Sequence, residues 1–183
     1  HSAGLNLSIS VNISAYQLQQ DNFTNRLAAL LSTHPEVNPY CLELEILETS
    51  ALSDINKVFA TMSACNELGV RFALDDFGTG YSSLTYLRRL PAQLIKIDQS
   101  FIREMLEDAE DRAIVEAIIG LAKSFRRDVI AEGVETINHG RELLQMGCEL
   151  AQGYGIARPM PADDIPEWIS NWTAEDVWAN QVS

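Results

Sequence analysis

The sequence lacks any long apolar run. Its best candidate, Ala113 to Ala122, is interrupted by Glu116 and has helical patterning, whereas a membrane span needs roughly 18 to 20 consecutive apolar residues. No segment here is expected to cross a bilayer. Basic residues are scarce as well: 13 Lys and Arg stand against 26 Asp and Glu, a net charge of −13. Affinity for long nucleic acids comes mostly from counterions released at basic patches, so that class of partner is excluded. Cysteine is sparse, and Cys41, Cys65 and Cys148 are odd in number, widely spaced and set among apolar neighbours. The pattern fits reduced, packed thiols in a cytoplasmic protein rather than disulfides or a zinc site. No basic stretch followed by an apolar one marks a secretory signal; His1-Ser2 reads as a cloning scar.

What is present is alternation. Strand-like runs at Leu7 to Val11, Leu42 to Leu47, Arg71 to Leu74, Leu94 to Ile97, Val129 to Ala131 and Glu149 to Ala151 are separated by amphipathic stretches. These cover Ala15 to Thr33, with Leu27, Leu30 and Leu31 as a core-facing stripe, Asp54 to Leu68, Ala109 to Phe125 and Asn138 to Met146. Ser53 is a candidate N-cap, while Gly69 and Gly147 follow helical runs as stops. Repeated βα order predicts a mainly parallel sheet, either open and doubly wound or a (β/α) barrel. No Gly-x-Gly-x-x-Gly follows the first strand, which removes the best support for a dinucleotide-binding open sheet. A full barrel takes about 250 residues, or roughly 30 per unit; this length corresponds to about six of eight units. Trp168, Trp172 and Trp178 in the tail are expected to pack on the barrel's outer surface.

Polar residues fall at strand ends: Asn12, Glu45, the pair Asp75-Asp76, Lys96, Glu132 and Gln152. In parallel βα architecture those ends converge on one face, where barrel enzymes carry their chemistry. Period-two alternation puts Ser8, Ser10 and Asn12 on one side and Leu7, Ile9 and Val11 on the other; the aliphatic side is expected to face helices and the polar side the interior. Any one of these residues could be a helix cap, a turn former or a snorkelling lysine. Their common rim makes a shared site the better reading. Converging carboxylates repel unless a cation neutralises them, and hard oxygen ligands point to Mg²⁺ or Mn²⁺ rather than zinc. His1, His34 and His139 are read as surface residues.

The run Asp75-Asp76-Phe77-Gly78-Thr79-Gly80-Tyr81-Ser82-Ser83-Leu84 resembles the DDFGTGYSSL loop of the EAL domain family. Around it stand Val11-Asn12-Ile13-Ser14, Glu45-Ile46-Leu47-Glu48, Leu90-Pro91, Lys96-Ile97-Asp98, Ala131-Glu132-Gly133-Val134-Glu135-Thr136 and Gln152-Gly153-Tyr154, in the family's order, from about Leu7 to Pro161. The resemblance implies an α/β fold, an EAL-type modified TIM barrel that is incomplete here, with residues 1–183 as a single domain fragment. It also implies a cyclic-di-GMP phosphodiesterase forming linear pGpG with two Mg²⁺ or Mn²⁺ ions. By motif position, Asn12, Glu45 and Asp75 would hold one ion, and Asp75, Asp76 and Glu132 the other. Lys96 would orient the attacking water or offset phosphate charge, and Glu132 is also a candidate general base. Glu48 matches the anchor of the Asp76 to Ser83 loop, including Phe77, Gly78, Thr79 and Gly80, through which dimerisation couples to metal binding. Gln152 and Tyr154 match positions near substrate; Pro159 resembles a proline by the guanine pocket, though a loop stiffener reads equally well.

The sequence departs from the family in two ways. The Glu-Ala-Leu segment and its neighbouring arginine are not in this stretch, so the chain alone is expected to turn over poorly, and Leu47 replaces a usual threonine. A non-catalytic cyclic-di-GMP receptor is the alternative; receptors typically lose acidic metal ligands, whereas Asn12, Glu45, Asp75, Asp76, Lys96 and Glu132 all remain here. An unpaired first strand predicts pairing into a homodimer. A GGDEF or sensory domain, and with it a membrane anchor, is expected upstream in the parent protein.

Overall fold

The computed structural model describes residues 5, 7–51, 54–80 and 84–172. Ser53, Trp178 and the Tyr81-Ser82-Ser83 part of the motif lie outside these described residues. Strand β1 (Ile9–Asn12) is followed by α1 (Ala15–Leu18), α2 (Phe23–Thr33), β2 (Leu42–Leu47), α3 (Glu48–Ala51) and α4 (Ile55–Glu67). Next come β3 (Arg71–Phe77), α5 (Leu84–Arg89), β4 (Leu94–Ile97), α6 (Gln99–Glu104), α7 (Ala109–Ser124), β5 (Asp128–Ala131), α8 (Ile137–Met146), β6 (Leu150–Ala151) and α9 (Ile165–Asn171). The long amphipathic run from Ala15 is therefore two helices, and α3, α5, α6 and α9 were not foreseen as elements.

All five strand pairings are parallel, and the sheet order is β1-β2-β3-β4-β5-β6. A doubly wound sheet reverses its strand order at a switch point; here the order never reverses. With every crossover wound in the same sense, the sheet curls, giving a six-stranded part of a barrel.

Alternation in the central strands sorts the two faces. Leu44, Ile46, Phe72, Leu74, Ile95 and Ile97 are buried on the outer face beneath helices, packed with Val58, Met62 and Cys65 of α4, Ile102 of α6, and Val115, Ile118 and Ile119 of α7. Each such large side chain contributes roughly 1.5–3 kcal/mol by leaving water. The opposite set, Glu43, Glu45, Asp75 and Lys96, is also buried but polar, and lines the concave side.

The edge strand behaves differently from expectation. Leu7, Ile9 and Val11 were expected to lie under helices, yet they are exposed, with Ile9 and Val11 on β1 at the edge of the sheet. Leu30 is likewise exposed and only Leu27 of its stripe is buried. Cys41, Cys65 and Cys148 form no disulfide, and Cys65 and Cys148 are buried; burial pushes the Cys148 thiol up to about 11. Trp168 and Trp172 pack on each other with ring centroids 5.8 Å apart.

Candidate active site

A break in register gives the site its charge density. Leu74 pairs with Ile95 and Phe77 with Ile97, so Asp75 and Asp76 together occupy the step that β4 fills with Lys96 alone. This is a β-bulge, which adds one residue to a strand and bends it. Asp76 takes up the extra residue in the left-handed region, with φ 52°, a conformation aspartate tolerates better than most residues. Phe77 thereby returns to the outer face, and the oxygens of Asp75, Asp76 and Glu132 come within 4.8 Å of one another.

Lys96 holds the cluster together. Its Nζ lies 2.9 Å from Glu45 Oε2, 2.7 Å from Asp75 Oδ1 and 2.5 Å from Glu132 Oε1. Burial alone would lower the Lys96 pKa, but hydrogen bonds to Asp75, Glu132 and Glu45 outweigh it and raise it well above the usual range. Burial pushes the Glu132 carboxyl up, against the pull of Lys96. Asp76 is pushed up too, first by burial, then by the charge of Asp75 and a hydrogen bond with Asp98. The cluster is thus short of positive charge at Asp76. Its donors are all oxygen, which suits Mg²⁺ or Mn²⁺ and not zinc or copper; the residues present fit such ions.

Neighbouring groups fix this constellation. Gln152 Nε2 donates to Glu132 Oε1 at 2.7 Å. Glu48, 4 % exposed, accepts the Gly78 backbone N–H at 2.9 Å, and the Thr79 hydroxyl donates to the Asp76 carbonyl at 2.9 Å. Gly78 has φ 103°, and a Cβ there would stand 2.9 Å from the Phe101 ring, so the loop requires glycine. His139, expected at the surface, is 6 % exposed. The chain after Glu132 folds back over the first turn of α8, and the Glu135 N–H donates to His139 Nδ1 at 3.4 Å.

Of the sequence-predicted residues, Glu45, Asp75, Asp76, Lys96, Glu132 and Gln152 are brought together. Asn12 is exposed on the edge strand, in register beside Glu45. Tyr154 and Pro159 line a cavity of about 510 Å³ that also reaches Glu132, Gln152, Arg103 and Arg158. Arg103 and Arg158 were not foreseen. Arg103 pairs with Glu135 at 3.1 Å; the one available signal was the position of Glu135 and Arg158 beside recognised motifs. No helix among the described residues is long and apolar enough to cross a membrane.

Comparison with known proteins agrees with this geometry. The EAL domain family model matches residues 2–159. The chain is 40% identical over 158 residues to the bifunctional diguanylate cyclase/cyclic di-GMP phosphodiesterase MucR of Pseudomonas aeruginosa, covering 86% of this chain and 23% of that protein. It is 37% identical over 163 residues to the cyclic di-GMP phosphodiesterase PA2567 of the same organism, covering 89% and 28%. The chain therefore spans about a quarter of the length of these relatives. Among solved structures, the PaMucR phosphodiesterase in complex with c-di-GMP superposes with a TM-score of 0.81 at 40% identity, over 86% of this chain and 64% of that one. The EAL domain of Mycobacterium smegmatis DcpA superposes at 0.84 with 35% identity, over 90% and 74%. A curled parallel sheet with its acidic cluster at the strand ends, and a family match over most of its length, place this chain in the EAL domain family.

Proposed function

We propose that the protein hydrolyses cyclic di-GMP to linear pGpG using two divalent cations, Mg²⁺ or Mn²⁺. The observation that carries this reading is the Asp75, Asp76 and Glu132 cluster around the Lys96 ammonium, open to a nucleotide-sized cavity. Asn12, Glu45 and Asp75 would hold one ion, and Asp75, Asp76 and Glu132 the other. When bound, such ions acidify water and neutralise charge on the phosphate.

The chain's own groups supply the rest. Glu132, on the cavity and within 4.8 Å of the Asp75 and Asp76 oxygens, is placed to accept a proton from the attacking water. The water oxygen bonds to phosphorus as the bond to the 3′ oxygen breaks; that oxygen takes up a proton from solvent, and Glu132 returns the proton it accepted to solvent. Lys96, kept charged by its three carboxylates, holds them in place and offsets negative charge building on the phosphate. Gln152 fixes the Glu132 orientation through its hydrogen bond. Glu48 braces the Phe77 to Gly80 loop, the segment we assign to coupling between subunits of a homodimer.

Residues 1–183 are read as one domain, part of a longer cytoplasmic protein with a GGDEF or sensory region before it. This stretch alone is expected to turn over slowly, since it does not contain a Glu-Ala-Leu segment. The test is an assay of the full-length protein with cyclic di-GMP and Mg²⁺ or Mn²⁺, following pGpG by chromatography. Turnover abolished by Glu132→Gln supports the reading; tight nucleotide binding without cleavage would replace it with a receptor.

A further inference from the structure

Asp76 and Glu132 stand where the sheet does not fix their separation. The ladder between β3 and β4 gives Asp76 no partner, since the register passes from Leu74 to Phe77. Glu132 lies one residue beyond β5, and its N–H donates to the Ile97 carbonyl at 3.2 Å. β3 and β5 do not pair with each other; β4 lies between them. The ladder therefore leaves the distance between these two carboxylates open, and what stands between the loops after β3 and β5 closes it.

That space is filled by α6. β4 passes into it after one residue, Asp98, which accepts the Ser100 N–H at 2.8 Å as the N-cap and also hydrogen-bonds Asp76. On one side the Phe101 ring meets the loop after β3: a Cβ on Gly78 would stand 2.9 Å from that ring and 3.1 Å from Ile118 Cδ1 of α7. On the other side α6 meets the loop after β5 at its backbone: a Cβ on Gly133 would stand 2.6 Å from Gln99 Cβ and 3.3 Å from Gln99 Cα. Arg103 is one turn on from Gln99, and so on the same face; its Nε donates to Glu135 Oε1 at 3.1 Å. Phe101 falls midway between them, which at about 3.6 residues per turn directs it away from that face. Ile102 is completely buried and anchors the helix.

The Arg103–Glu135 pair is half exposed, and such pairs contribute at most about 1 kcal/mol to stability. Its effect falls on geometry instead, because Glu135 closes the stretch of loop that Glu132 opens. Shifting α6 toward either loop would drive it into Gly78 or Gly133. We propose that α6 is a spacer that sets the separation of Asp76 and Glu132, with Phe101 and Arg103 as positioning residues for the ion those carboxylates would hold. This rests on the two-cation reading above.

The test is a calorimetric titration of Mn²⁺ alone into the full-length protein, without nucleotide. Asp76→Asn marks which binding event belongs to that ion. Arg103 is exposed, so its variants should fold, and thermal melts in EDTA check folding independently of metal. Arg103→Ala is expected to weaken the marked event about two- to fivefold and to leave the other unchanged. Arg103→Lys, which keeps a charge opposite Glu135, should recover most of that loss. Phe101→Ala should weaken the same event further, and Phe101→Leu, which keeps bulk against Gly78, should weaken it less than Phe101→Ala does. Equal weakening of both events would mean a general loosening and would overturn the assignment. Two clear Mn²⁺ events that ignore both alanine variants would sink the spacer alone, whereas a wild-type protein that takes up no Mn²⁺ would sink the two-cation reading and the spacer with it.

Discussion

Glu132 and Lys96 meet at 2.5 Å with side chains only 13% and 6% exposed, which makes each the condition for the other's charge. Removing the ammonium strands buried carboxylates, and breaking a buried pair in this way costs about 3–5 kcal/mol. Lys96→Met is expected to destabilise the metal-free protein by that order in urea unfolding at neutral pH, and to abolish cleavage. The raised Lys96 pKa contributes stability that is complete below its ordinary 10.5 and is lost as pH climbs through the higher folded value. A loss under about 1 kcal/mol would mean that solvent already screens the cluster.

Asp76 and Glu132 have the opposite sign. Their folded values lie above the ordinary 3.8 and 4.5, so the folded state holds these protons more tightly. Metal-free stability from these two groups is greatest below those ordinary values and falls as pH rises through the shifted ones. Asp76→Asn should therefore flatten the decline in melting temperature as pH rises above the ordinary 3.8 in EDTA. It should also raise the melting temperature at neutral pH while weakening Mn²⁺ binding. A variant that is both less stable and steeper in its pH dependence would contradict this.

The Glu48 contact predicts a coupling between loop and metal. Glu48→Ala leaves the Gly78 N–H without its acceptor, a loss of about 1–3 kcal/mol for a buried group. Because the same loop begins at Asp76, Mn²⁺ affinity should fall in calorimetric titration, and Glu48→Gln, which keeps an acceptor oxygen, should recover much of both. Unchanged Mn²⁺ affinity in the alanine variant would restrict Glu48 to a stabilising role.

His139 offers a test of positioning away from the metals. Its ring accepts the Glu135 N–H on the loop that also carries Glu132. His139→Leu should lower the melting temperature and raise KM for cyclic di-GMP more than it lowers kcat, and His139→Gln, which can still accept, should restore KM. A fall in kcat at constant KM would place the effect on the reacting groups instead.

The central strands were legible because period-two alternation is strict where both faces are buried: Glu43, Glu45, Asp75 and Lys96 turned inward as their spacing required. The outcome at β1 differed because alternation reports which side chains agree, and not whether any helix covers them; Ile9 is 65% exposed. His139 was misread for a related reason. A histidine in the first turn of a helix is usually wet, and only the return of the chain over that turn buries it. The short helices α5 and α6 are six residues each, too few to show a helical period. The bulge was invisible because two adjacent aspartates before a glycine loop look the same whether they form a turn or share one step of a ladder.

That shared step also governs how β3 tolerates changes in length. If Asp76 straightened into regular strand geometry, its carboxylate would swing to the helix layer and Phe77 would point into the hollow. Losing Asp76 outright would instead leave Phe77 in phase with Ile97, giving an ordinary strand with a single inward acid. A one-codon deletion at this spot should therefore be milder for folding than many point replacements nearby, while removing half of the charge the strand delivers.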